Sequence, residues 1–120
     1  YLGVDIFKLY KTFYLKKINR FDFVKEILNF FIKKIGKHGN LIIPVFDFNS
    51  VIKKKFNQRN SSSDSGALGA LLLKNYYEHR IGTPFYSFLC FGKKLKIYNK
   101  INDPHTVGRN SLWKRHLENG

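Results

Sequence analysis

Methionine is absent from the 120 residues, and cysteine occurs once, at Cys90. The chain opens on Tyr1, the pattern expected of an internal or processed piece of a longer protein. A single thiol excludes an internal disulfide framework and suits a reducing compartment. No apolar run approaches the roughly 20 residues that a membrane-spanning helix requires. Asp5, Lys8 and Lys11 interrupt the apolar N-terminal stretch, which does not read as a signal peptide. A soluble, cytoplasmic protein without a membrane partner is the expectation. Metal-ligand spacing is missing as well, since one Cys and four scattered His residues form no zinc pattern. Neither a Gly-x-Ser-x-Gly elbow nor a Walker-type phosphate loop occurs.

Acidic residues are scarce, eight against 22 basic ones, which gives a formal net charge of +14. Such a balance favours anionic partners. Yet 17 of the basic residues are Lys and only five are Arg, and Arg is the residue of bidentate phosphate and base contacts. Solvated Lys is therefore the preferred reading. A small basic nucleic-acid-binding module, docking through the Lys clusters at 53–55 and 93–96, stands as the alternative. With 43% hydrophobic and 17% aromatic residues, the chain has the material for one modest core, and residues 1–120 read as a single partial domain.

Residues 1–18 show no clean period and suit a loop or short helix. From Asn19 the pattern sharpens. Asn19 is a candidate N-cap with Asp22 three positions on, and Phe23, Ile27, Phe31 and Ile35 recur every four residues, widened by Val24, Leu28 and Ile32. Gly36 and Gly39 end that helix. Leu41 to Phe46 is a short apolar run that predicts a buried strand, with Pro44 near its end or at a bulge. A helix followed closely by a buried strand is half of a βαβ unit. The polar stretch from Lys53 to Ser65 suits a linker by composition. The small-faced helix expected at 67–73 makes it a loop over a helix N-terminus, with Asp64, Ser63 or Ser62 as cap. Residues 86–91 predict a second buried strand, residues 93–100 a surface helix or an irregular connection, and a last helix starts near Asn110 or Ser111 with Leu112, Trp113 and Leu117 on one side.

Four blocks carry a resemblance, in order along residues 39–113. Gly39-Asn40-Leu41-Ile42-Ile43-Pro44-Val45-Phe46 is followed by the gapless run from Phe56-Asn57-Gln58-Arg59-Asn60 through Ser61-Ser62-Ser63-Asp64-Ser65-Gly66-Ala67-Leu68. Pro84-Phe85-Tyr86-Ser87-Phe88 with Gly92, and then Gly108-Arg109-Asn110-Ser111-Leu112-Trp113, complete the set. Together they resemble the aminoglycoside 3-N-acetyltransferase (antibiotic N-acetyltransferase) family. The chain departs from that pattern at Thr83, where many antibiotic-modifying members have His, and at Ser62, where Pro is usual. The resemblance implies an incomplete α/β fold, a mixed sheet with flanking helices, and transfer of an acetyl group from acetyl-CoA to an amino group of an aminosugar or aminoglycoside. It also implies bacterial origin and a link to antibiotic resistance. Family segments expected before Tyr1 and after Gly120 carry further site residues, so little turnover is expected of these residues alone.

Acetyl transfer needs a base for the amine, donors for the developing oxyanion and an anchor for the anionic cofactor. Arg59, Asn60, Ser61 and Ser63 combine a cationic fork, an amide and hydroxyls ahead of a helix N-terminus, which suits the cofactor anchor. Equally, Arg59 and Asn60 suit tying the loop to its neighbours, and Ser63 suits a cap. His105, with Asp103 nearby, is the candidate base, against the alternative of a solvated loop histidine. His38, His79 and His116 read as surface residues. Asp47 at a strand's carboxyl end is a candidate for the substrate ammonium, or a turn residue; Ser87 is a candidate substrate contact, or a packed hydroxyl. Cys90 and Trp113 read as core. No metal is expected.

Overall fold

The computed structural model describes residues 5–13, 19–83, 85–92 and 107–119. Helix α1 (Ile6–Phe13) opens with the Asp5 carboxylate accepting the Lys8 N–H at 3.1 Å. Helix α2 (Arg20–Ile35) is capped as its sequence requires: the Asn19 side chain accepts the Asp22 N–H at 2.9 Å. It ends where Gly36, at φ 66°, donates its N–H to the Ile32 carbonyl. Phe23, Val24 and Leu28 form its buried side, while Ile32 faces outward with Phe30.

Strand β1 (Asn40–Pro44) follows after a short turn, and Pro44 closes it as its missing N–H demands. A six-residue helix α3 (Phe48–Lys53), the loop 54–66 and helix α4 (Ala67–Tyr76) then lead through a 3₁₀ turn (Tyr77–His79) into β2 (Arg80–Gly82). The chain reverses through a tight hairpin into β3 (Ser87–Gly92). Gly82 has φ 106° there, and an added Cβ would meet the Tyr86 carbonyl at 2.4 Å, so only glycine fits. Helix α5 (Leu112–Asn119) is capped by the Ser111 hydroxyl, which accepts the Lys114 N–H at 3.2 Å.

The three strands lie in the order β1-β3-β2, with β3 antiparallel to both neighbours. β1 and β2 therefore run the same way, joined by the helical connection, with β3 returned between them: a split β-α-β arrangement. The mixed sheet expected from sequence is not formed among the described residues, because the hairpin at 82–86 sends β3 back into the gap and makes both ladders antiparallel. The architecture is accordingly a mixed helix and sheet domain around a small antiparallel sheet.

Alternation along the strands supplies two cores. Leu41, Ile43, Leu89 and Phe91, with Val45 just beyond β1, face α2 and α4, meeting Phe23, Val24, Leu28, Leu68, Leu72 and Leu73. Ile42, Ile81, Phe88 and Cys90 face Leu112 of α5, with Trp113 set edge-on to Phe88 at 5.4 Å between ring centres. Both faces are covered, which is why β1 and β3 read as unbroken apolar runs. Leu117 does not share the buried side of α5; it is 81% exposed. No helix among the described residues is long and apolar enough to cross a membrane.

Candidate functional site

Where β1 ends, four buried polar side chains, Asp47, Ser50, Arg80 and Ser87, meet a loop. Asp47 is the N-cap of α3: Oδ1 accepts the Ser50 N–H at 3.0 Å and Oδ2 accepts the Ser50 hydroxyl. Burial acts to raise its pKa. Hydrogen bonds from the Ser50 hydroxyl and N–H, then the Ser61 hydroxyl and the Arg80 charge, outweigh burial and hold it below the usual carboxylate value. Asp47 thus lies inside the protein with both oxygens engaged, rather than on a cleft wall.

The loop before α4 is anchored at both ends. Asp64 donates its N–H to the Phe46 carbonyl at 2.7 Å and accepts the Phe48 N–H at 2.9 Å, while the Ser65 hydroxyl accepts the Phe46 N–H at 2.5 Å. Asp64 therefore serves the start of α3, not α4. The N-cap of α4 is Gly66, at φ 114° and without a side-chain cap bond, and the Ser63 hydroxyl accepts the Ser65 N–H at 3.3 Å instead. The sequence predicts the α4 cap at positions 62–64; instead Asp64 meets the Phe48 N–H at the start of α3, and Ser63 bonds within the loop.

Within the loop, Asn57 organises an Asx turn. Its side-chain oxygen accepts the N–H groups of Arg59 and Asn60, each at 2.9 Å, and its carbonyl accepts the Ser61 N–H at 2.9 Å. The Ser61 hydroxyl accepts the Asn57 N–H at 2.9 Å and lies 3.1 Å from the Ser50 hydroxyl. Arg59 and Asn60 are left exposed at the tip. The Arg59 guanidinium lies over the Tyr77 ring at 5.0 Å, a cation–π contact.

Beneath this loop sits Arg80, 1% exposed at the first position of β2. Its Nε donates to the Ser87 hydroxyl at 3.0 Å. One terminal nitrogen donates to the Ser61 carbonyl at 2.7 Å, and the other to the carbonyls of Val45 at 3.0 Å and Ser62 at 3.2 Å. Phe56 covers the guanidinium face at 4.8 Å, and the Gln58 amide donates to the Arg80 carbonyl at 2.7 Å. Burial lowers the Arg80 pKa and the Asp47 charge acts in the opposite direction. Ser87, wholly buried, donates its hydroxyl to the Val45 carbonyl at 2.8 Å while accepting from Arg80.

The structure thus brings Asp47, Ser61 and Ser87 into one internal network and leaves Arg59 and Asn60 outside it. Ser63 stays half-buried beside α4. His105 and the 93–100 connection lie outside the described residues. His38 is exposed, whereas His79 is half-buried, stacked on Phe91 at 4.7 Å with Nδ1 3.1 Å from the Cys90 carbonyl oxygen; sequence placed it on the surface. Arg80, Asn57 and Gln58 were missed. Arg80 reads as one more charge between His79 and an apolar pair, and nothing local marks it as buried. Among the described residues no three metal-ligating side chains cluster. No protein-family model, curated protein sequence or solved structure matches this chain.

Proposed function

We propose that this chain is part of an acetyl-CoA-dependent N-acetyltransferase that acts on an amino group of an aminosugar or aminoglycoside, with the tip of loop 57–65 facing the cofactor. One observation supports this reading above the others: the gapless block that resembles the family is a braced turn on the sheet ends, not a tether. A braced turn holds donors in place before a ligand arrives, which lowers the ordering cost of binding. Arg59 and Asn60 are its outward donors, and Lys53, Lys54 and Lys55 lie exposed close by in sequence. That chemistry suits the phosphates of acetyl-CoA. Asp47 and Ser87 act in this reading by fixing the loop, since their polar atoms are engaged internally.

Binding is the decisive readout, ahead of turnover. Calorimetric titration is expected to show saturable, weak acetyl-CoA binding that Arg59→Ala diminishes. Absence of binding at millimolar acetyl-CoA, together with oligonucleotide binding that collapses as salt rises, would replace this reading with the nucleic-acid one.

A further inference from the structure

We infer that Arg80 is the positioning residue of this site: its guanidinium holds loop 57–65 in the form that presents Arg59 and Asn60 to an anionic ligand. The identity of that ligand as acetyl-CoA rests on the proposed function; the positioning itself rests on geometry. The loop's ends have their own anchors, Gln58 to the Arg80 carbonyl and Asp64 to the Phe46 carbonyl. Its middle does not. Ser61 and Ser62 reach the sheet through their carbonyls, and both carbonyls end on the Arg80 guanidinium. The Ser61 hydroxyl adds to this through its contacts with the Ser50 hydroxyl and the Asp47 carboxylate.

The same fork grips Val45 past the end of β1 and Ser87 at the start of β3, so one rigid plane fixes the loop relative to two strands. Turning the 61 and 62 carbonyls inward leaves the tip residues Arg59 and Asn60 on the outside, where both are exposed. The buried charge is met by three carbonyls, one hydroxyl and the Phe56 face. Asp47 acts on it only at longer range, with Ser50 and Ser61 in between. A lysine carries the charge but lacks the planar fork that spans four acceptors.

Two variants of the whole chain test this, Arg80→Lys and Arg80→Gly with and without millimolar guanidinium ion in the buffer. The readouts are amide exchange at Ser61, against Asp64, Gly36 and Ala70 as controls whose bonds do not involve Arg80, and the acetyl-CoA Kd per folded molecule. In Arg80→Lys, exchange at Ser61 is expected to quicken about tenfold and the Kd to weaken by about the same factor, the scale of one lost charged hydrogen bond. The controls stay put, and added guanidinium restores both readouts in Arg80→Gly. Unchanged loop exchange and Kd in Arg80→Lys would overturn the inference and leave the transferase reading standing. A wild-type chain that ignores acetyl-CoA while its loop responds to Arg80→Lys would sink the transferase reading and retain the positioning role. Arg80→Lys carries the decision if Arg80→Gly does not fold.

Discussion

Arg80 and Ser87 are bonded to each other, and both donate to the same carbonyl, that of Val45, at 3.0 and 2.8 Å. Ser87 is therefore an acceptor for a buried cation and a donor to a buried carbonyl at once. Ser87→Ala leaves the Arg80 Nε–H without its partner in an interior that excludes water. Loss of about 1–3 kcal/mol is expected, read as a lower urea midpoint at an unchanged slope.

At Gly69, α4 packs directly against the end of β1. A Cβ there would lie 2.8 Å from the Pro44 carbonyl and 2.9 Å from Val45 Cγ1. The carbonyl is backbone and cannot swing away. Gly69→Ala gains helix propensity in principle, yet the clash is expected to dominate, at a net cost of about 1–3 kcal/mol in thermal or urea unfolding.

Acid sensitivity follows from Asp47. Its folded pKa lies below the ordinary value, so its contribution to stability is in full force above the unfolded pKa of about 3.9 and is lost as pH falls through the folded value. Asp47→Asn should be less stable than wild type at neutral pH, with the gap closing toward pH 2. Urea midpoints measured across that range check it; a gap that widens on acidification contradicts the assignment.

Burial pushes the Cys90 thiol up to about 12. The thiolate is the reactive form, so the native protein should resist a thiol-specific reagent at pH 8 and react only as fast as it unfolds. Rapid labelling without denaturant would contradict the packing of Cys90 between the sheet and Leu112.

Much of this frame is local and was legible. The Asn19 cap, the Gly36 stop and the apolar runs of β1 and β3 are decided by residues within a turn or a strand of one another. Helix α3 was not, because it inverts the usual rule: Ser50 is its buried residue, while Ile52 is 80% exposed beside Phe48 and Val51. Its position is set by Asp47, Asp64 and Ser61, partners up to 16 residues away. Strand β2, three residues long, carries too little pattern to be read. In the site, sequence found the loop but not its anchor, since the partners of Arg80 lie at Val45, Ser61, Ser62 and Ser87 and only the fold assembles them.

A chemical-shift map of the ¹⁵N-labelled chain titrated with acetyl-CoA tests the cofactor-facing role of the loop most directly. Saturable shifts centred on the amides of Arg59, Asn60 and their loop neighbours, persisting at physiological salt, are the expected result. Shifts confined to the Lys53–Lys55 run and erased by salt, or no shifts at all, would contradict it.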